Sequence, residues 1–377
     1  MTLSPGAWDW AAAPSTIVRM PTRVRSFSKI NLGLAVGPAR PDGFHGLATI
    51  YQTLALHEFV TVTARPAART VIRLTADHPG VPRSATGDAE RNTAWKMVSG
   101  ALLRLGITAA VEITIEKRLP VQGGMGAGSA NGVAALLGLE RELGQTLPQP
   151  DRLALAAEVG SDLPLFLLGG TVLGLGRGEE VYPLTDIAPT PCVIALPQVG
   201  VSTKLAFAEL DARMASLTFQ QSADRLEKLS RALAAIWTFD GAEAGPSGIT
   251  RAEEAEKRTL AQRGDLAEKS GSTSNLLDGV LNPLLALVRT GIENDFEEVV
   301  FSQHPSLRST KRDLLGSSSS SAFYAALSGS GSALFGLYAD EAAAREAQHR
   351  VQSNGTRAIL TETLPRSGYW DTIFAED

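Results

Sequence analysis

The chain has 377 residues, of which 44% are hydrophobic and 20% charged, with a formal net charge of −5. That length suits one large or two medium domains with a sizeable core. The acidic balance gives no electrostatic case for nucleic acid or an anionic membrane as partner. The single cysteine, Cys192, excludes an internal disulfide framework and suits a reducing compartment. No Cys/His cluster has zinc spacing. The most apolar run, Leu163 to Leu175, is too short and too glycine-rich to span a bilayer.

Residues 1–19 are aperiodic and lack the charged start and apolar middle of a secretory signal. They read as a disordered tail, with Met20 as an alternative start. Arg23 to Val36 alternates like a strand, interrupted by Ser28, Lys29 and Asn31. A lysine in an apolar strand is costly unless it is paired or faces a cleft. The alternative is that its amine snorkels to solvent. Gly37 to Gly46 is a turn marked by Pro and Asp-Gly. Its adjacent Phe44 and His45 either cover the core and meet solvent, or form a small aromatic platform. Leu47 to Ala64 reads as helix or strand, followed by a strand at Phe59 to Thr63. Residues 66–90 are polar and turn-rich. Asn92 to Leu105 has helical spacing, and Val111 to Ile115 alternates again.

The next stretch, Leu119-Pro-Val-Gln-Gly-Gly-Met-Gly-Ala-Gly-Ser-Ala-Asn131, leads into a helix over about Ala130 to Leu143. Four glycines within Gly123 to Gly128 let the backbone turn with positive φ and approach a ligand closely. Several N–H groups then converge at a helix N-terminus, a ready anion site. Ser129 and Asn131 add short polar side chains. The stretch is neither a P-loop, for the chain has no Gly-Lys pair, nor a dinucleotide fingerprint, because the third glycine is replaced by Ser129. A plain tight turn is the other reading.

Asp151 to Val159 reads as a helix. Asp162 then sits before Leu-Pro-Leu-Phe166, either as a helix cap or as a functional acid. Gly169 to Gly178 looks like glycine-rich strand edges, Pro191 to Leu196 is a strand, and Gly200 to Leu210 turns into a helix. From about Met214 to Leu276 the composition shifts and loses apolar period, which suggests an insertion, helical at Ala223 to Trp237. Helical patterns follow at Leu276 to Arg289 and after Asn294. Gly316 and five serines form a connector. A second glycine/serine loop, Leu327-Ser-Gly-Ser-Gly-Ser332, enters a strand. A helix over Asp340 to Gln352 and a strand over Arg357 to Glu362 close the chain. Alternating strands and helices without a clean repeat indicate an α+β fold.

Three motifs in this order, a strand carrying a lysine, PVQGGMGAGSAN and LSGSGSALFG, resemble those of the GHMP kinases, the superfamily of galactokinase, homoserine kinase, mevalonate kinase and phosphomevalonate kinase. The resemblance covers about residues 23–365. SFSKINLGLAV with RPDGFH, KRLPVQGGMGAGSAN, GSDLPLF and VSTKLAF carry a closer resemblance, to the 4-diphosphocytidyl-2-C-methyl-D-erythritol kinase family of the non-mevalonate isoprenoid pathway. It implies a two-lobed α+β GHMP kinase fold. An ATP-binding N-terminal lobe, like domain 2 of ribosomal protein S5, would span 20–184. A ferredoxin-like C-terminal lobe would span 185–377, with the insertion at about 214–276. The active site would lie between them.

The resemblance further implies a cytoplasmic, bacterial-type enzyme that uses ATP and Mg2+ to phosphorylate the 2-hydroxyl of a cytidyl diphosphate substrate. Another small-molecule kinase of the superfamily, of homoserine or mevalonate type, and a silent ligand-binding member are the alternatives. Lys29 and Asp162 would flank the reacting hydroxyl. Pro120, Gly123, Gly124, Met125, Gly126, Ala127, Gly128, Ser129 and Asn131 would hold the ATP phosphates, with Ser129 the nearest candidate for Mg2+. Phe44 and Phe207 would sandwich cytosine and His45 would read its edge, with Asn31, Gly329, Ser330 and Gly331 completing the substrate site. The chain departs from the family pattern in Phe44 for a common Tyr, in Met125 and Ala127 for Leu and Gly, and in Ser129-Ala130 for a Ser-Ser pair. The oligomeric state stays open, a homodimer included, and the insertion is a candidate partner contact.

Overall fold

A computed structural model describes residues 20–39, 45–121, 123–214, 293–317 and 320–375. The expected tail at 1–19, Phe44, the insertion beyond Met214 and the helical pattern at Leu276 to Arg289 lie outside the described residues, as do two serines of the connector.

The first sheet is built around two long strands. β1, Thr22–Ala39, pairs antiparallel with β2, His45–Pro66, along nearly its whole length. The expected break within Leu47 to Ala64 does not occur. Register shifts between Phe27 and Lys29 and between Asn31 and Gly33 bend the pair instead of ending it, as bulges do. This bend lets β2 serve two sets of neighbours. Its second half pairs with β4, Ala109–Glu116, which lies parallel to β3, Val71–Ala76. Its first half pairs with β5, Thr171–Leu175, which continues to β6, Glu180–Pro183.

Helices cover one face of this sheet. α1, Thr93–Leu105, starts where Asn92 accepts the Ala94 N–H at 2.9 Å and stops at left-handed Gly106, a normal cap pair. It buries Ala94, Met97, Val98, Ala101 and Leu102, the apolar positions its spacing marked. α2 is Ala127–Leu143, beginning three residues earlier than the composition suggested. α3, Gln149–Val159, and the one-turn α4, Leu163–Phe166, follow. All four residues of α4 are buried.

The second sheet has the order β10-β7-β9-β8. Its strands are β7 (Pro191–Leu196), β8 (Tyr324–Leu327), β9 (Leu334–Leu337) and β10 (Arg357–Glu362), all paired antiparallel. α5 (Thr203–Met214), α6 (Phe296–Gln303), α7 (Ser306–Leu315) and α8 (Glu341–Ser353) accompany it. Val193, Ala195 and Leu334 pack with Phe296, Leu307, Leu314 and Val351 on its helical side. Its other side meets the first sheet through Ile30, Leu32, Ile50, Leu54, Ile194, Phe335 and Leu337. The two sheets therefore share a core between them, with helices outside each.

The sequence reading did not include the last helix, α9, Arg366–Thr372. It returns to the first sheet, where Tyr369 and Ile373 join the core of Val24, Phe27 and Phe166.

Candidate active site

β1 supplies the first group. Lys29 and Asn31, two apart, share a face of the strand. Lys29 Nζ donates to Asn31 Oδ1 at 2.6 Å, and Asn31 Nδ2 donates to Thr49 Oγ1 at 2.7 Å. The lysine does not snorkel: its side chain is 3% exposed and its Nζ lies 3.3 Å from Asp162 Oδ2. Asp162 is 32% exposed. It occupies the N-cap position of α4, but its side chain caps nothing. Its carboxylate is aimed at Lys29 and at Tyr51, whose phenol donates to Oδ1 at 3.0 Å. Burial and then the neighbouring carboxylate push the Tyr51 phenol well above its ordinary value, so it stays a donor.

The glycine cradle lies beside this group. The Lys29 N–H donates to the Met125 carbonyl at 3.1 Å. Gly124 and Gly126 both have positive φ, +75° and +68°. Both also sit where a Cβ would collide: at Gly126 it would lie 3.0 Å from Lys29 Cγ, and at Gly124 2.0 Å from the Ser328 carbonyl oxygen. The α2 N-terminus follows at once, giving the converging N–H groups an anion needs. Pro120, Gly123 to Ser129, Gly200 to Thr203, Ser330 and Gly331 line a cleft of about 750 Å³. Thr203 Oγ1 meets Ser330 Oγ at 2.8 Å, joining two loops at its rim.

Asn131 is the exception among the expected phosphate residues. It is buried in α2 away from the cleft lining and donates through Nδ2 to Glu58 Oε2 at 3.0 Å. Glu58 is wholly buried and also receives Lys117 Nζ and the N–H groups of Arg118 and Leu119. One carboxylate thus fastens both ends of the cradle. The sequence carried the signal, a charged residue in an apolar strand, which marked Lys29 but was not applied to Glu58.

Gly329, with φ +57°, passes close to Asn31 and the Gly124 carbonyl. Asn294 holds this second glycine loop by donating Nδ2 to the Leu327 and Gly329 carbonyls, each at 2.8 Å. Asn294 is itself anchored to β1, since the Glu293 carbonyl and the Asp295 N–H bracket Leu34.

The third group lies where β2 begins. The His45 and Phe207 rings stack, with centroids 4.9 Å apart and planes at 23°. Phe207 also meets Phe296 edge-on at 4.8 Å. His45 Nδ1 lies 3.1 Å from the Gly37 carbonyl and Nε2 3.4 Å from Asp211 Oδ2. One face of Phe207 is therefore taken by His45, which the expected Phe44–Phe207 sandwich did not include. Asp211 and Tyr51, which contact His45 and Asp162, are residues that the sequence reading did not single out.

The chain is similar in sequence and in fold to known proteins. The sequence matches the family models described as GHMP kinases N terminal domain over residues 92–170 and GHMP kinases C terminal over residues 273–357. It is 34% identical over 318 residues to a 4-diphosphocytidyl-2-C-methyl-D-erythritol kinase of Solibacter usitatus, covering 84% of this chain and 81% of that protein. A Synechococcus protein of the same name is 31% identical over 349 residues, covering 92% of each. The crystal structure of a 4-(cytidine 5'-diphospho)-2C-methyl-D-erythritol kinase has the same fold, with a TM-score of 0.59 at 24% identity over 90% of this chain and 98% of that one.

Proposed function

The chain belongs to the 4-diphosphocytidyl-2-C-methyl-D-erythritol kinases, a branch of the GHMP kinases, and from that premise we propose how its own residues carry out ATP-dependent phosphorylation of the substrate's 2-hydroxyl. The observation that carries the assignment of roles is the 3.3 Å approach of Lys29 Nζ to Asp162 Oδ2 beside the cradle.

Kinase chemistry asks mainly for positioning and charge neutralisation. In our reading the N–H groups of Gly123 to Gly128 and the α2 N-terminus hold the ATP phosphates. Asp162 accepts a hydrogen bond from the 2-hydroxyl and, as the phosphoryl transfers, its proton. Lys29 steadies the charge on the transferring group. Gly329 to Gly331 close the substrate side.

The donors around the cradle suit Mg2+, which takes substrate phosphates plus one or two protein oxygens. Ser129 lines the cleft, and its hydroxyl is the residue we assign to the ion. When bound, the metal would neutralise phosphate charge.

For the base, the stacked His45–Phe207 pair offers a platform, to which Phe44 is adjacent in sequence. The ring nitrogens of His45 already face Gly37 and Asp211. Reading the cytosine edge therefore means exchanging the Asp211 contact or using the His45 backbone.

The test is Asp162→Asn, assayed as ADP release with the cytidyl substrate, with homoserine and mevalonate as controls. We expect kcat to fall more than tenfold with little change in KM. A kcat within about tenfold of the parent removes Asp162 from the proton-accepting role.

A further inference from the structure

The glycine-rich hairpin of β5 and β6 has no part in the roles assigned above, yet it shapes the acid's surroundings. Tyr51 stands on β2 opposite Asn31 of β1 and is almost fully buried. Its ring lies against two glycines of the hairpin. A Cβ on Gly174 would come 2.5 Å from Tyr51 Cε2, and one on Gly178 would come 2.5 Å from the phenol oxygen. Any side chain at these positions would take the volume that the ring now fills. Gly178 also has φ +104°, where a side chain is strained whatever the space.

The slot fixes the phenol in one place, with its O–H 3.0 Å from Asp162 Oδ1. Lys29 Nζ takes the other oxygen at 3.3 Å and lies 5.5 Å from the centre of the same tyrosine ring. The carboxylate is thus held at two points, by a neutral donor and by a cation. Held this way it cannot rotate about χ2 without breaking both contacts. The lone pairs that neither partner uses then have a defined direction, on a side chain that is 32% exposed.

We propose that Tyr51 is a positioning residue of the kinase, its phenol in the Gly174–Gly178 slot setting the angle at which Asp162 meets the substrate hydroxyl. The proposal rests on the role given to Asp162 above. Tyr51 itself is buried and acts through Asp162. Positioning of this kind acts on the transition state more than on ground-state binding, because misaligned reacting groups lose rate rather than affinity.

The experiment is a double-mutant cycle of Tyr51→Phe and Asp162→Ala in the full chain, with kcat and both KM values measured for ATP and the cytidyl substrate. Tyr51→Phe keeps the ring in its slot and removes only the donor; a matched melting temperature checks the fold. A hydrogen bond to a charged group corresponds to a fall in kcat of about ten- to a hundredfold. Both KM values should stay within about twofold, and Tyr51→Phe should cost nothing more once Asp162 is Ala. Gly174→Ala, which moves the ring and keeps the phenol, should lower kcat with the same pattern. A Tyr51→Phe enzyme within about twofold of the parent in kcat overturns the proposal. So does an equal loss in the Asp162→Ala background, since the phenol would then act without the carboxylate. If Asp162→Ala alone leaves kcat intact, it is the underlying role of Asp162 that fails.

Discussion

Ser328 donates its hydroxyl to the Gly124 carbonyl at 2.9 Å, while the Ser328 carbonyl lies where a Gly124 side chain would begin. The two glycine loops, some two hundred residues apart, are therefore fitted back to back. The Ala333 N–H adds a bond to the Gly123 carbonyl at 3.2 Å. Each loop thus buttresses the other.

Gly124→Ala tests this fit. The new Cβ meets a carbonyl oxygen at 2.0 Å and the backbone is held at φ +75°. Gly87 has nearly the same φ, +73°, with nothing within 4 Å, so Gly87→Ala isolates the backbone cost, about 1 kcal/mol. We expect Gly87→Ala to keep its activity and Gly124→Ala to raise KM for ATP at least tenfold. Steady-state kinetics beside urea melts separates the two effects. Equal behaviour of the two variants would show that the close approach is unimportant.

The buried Glu58–Lys117 pair predicts a stability effect. Lys117 Nζ reaches Glu58 at 2.6 Å, and both side chains are almost wholly buried. Removing one partner of a buried pair leaves an uncompensated charge, typically costing about 3–5 kcal/mol. Lys117→Met should lower stability by that order in urea unfolding. Lys117→Met with Glu58→Gln should recover part of the loss. A loss under about 1 kcal/mol for the single variant would mean that the N–H donors alone satisfy Glu58.

His45→Ala should raise KM for the cytidyl substrate at least tenfold while KM for ATP moves less than about twofold. Asp211→Asn, which weakens the side-chain partner that His45 Nε2 has among the described residues, should alter the same KM and leave ATP alone. Equal shifts for both substrates would take the platform away from His45 and Phe207.

His57 sets a pH dependence. It lies edge-on between Phe27 and Phe59, at 5.2 and 5.1 Å. Burial, followed by nearby arginines, lowers its affinity for a proton below the ordinary 6.5, partly opposed by its bond to the Ala55 carbonyl. The folded chain thus binds this proton less readily than the unfolded one. Stability from this group is complete above about pH 6.5 and declines as pH falls toward the lowered folded value. The melting temperature of the parent should fall over that window more steeply than that of His57→Gln. Parallel curves would assign the acid sensitivity elsewhere.

The cradle was legible because its chemistry is local. Glycines at fixed offsets between a strand and a helix leave few other uses, and Gly123 to Ser129 all line the cleft. Lys29 and Asp162 were legible as anomalies, charged residues in apolar surroundings, but their 3.3 Å meeting rested on resemblance. Tyr51 was hidden because a tyrosine in a strand looks like core, and the carboxylate it holds is 111 positions away. Asn131 was misplaced for the opposite reason. Its neighbours suggested phosphate, while its position in α2 turns it inward toward Glu58. The course of β2 could not be foreseen, because a bulge is decided by the partner strand. The last helix escaped because Arg366–Thr372 has little apolar period and is fixed by tertiary bonds.

Those bonds tie the first described strand to the last described helix. Arg25 donates its N–H to the Ile373 carbonyl, and the Ala375 N–H returns to Arg23. The Tyr369 hydroxyl reaches the Phe166 carbonyl at 2.6 Å, under the helix that presents Asp162. Strand β1 is thus completed by residues that lie far along the chain. Without those residues, the hydrophobic bed around Phe27 would be open to water, the kind of exposed surface from which aggregation starts. The turn that presents Asp162 is therefore backed by a residue 203 positions further along the chain.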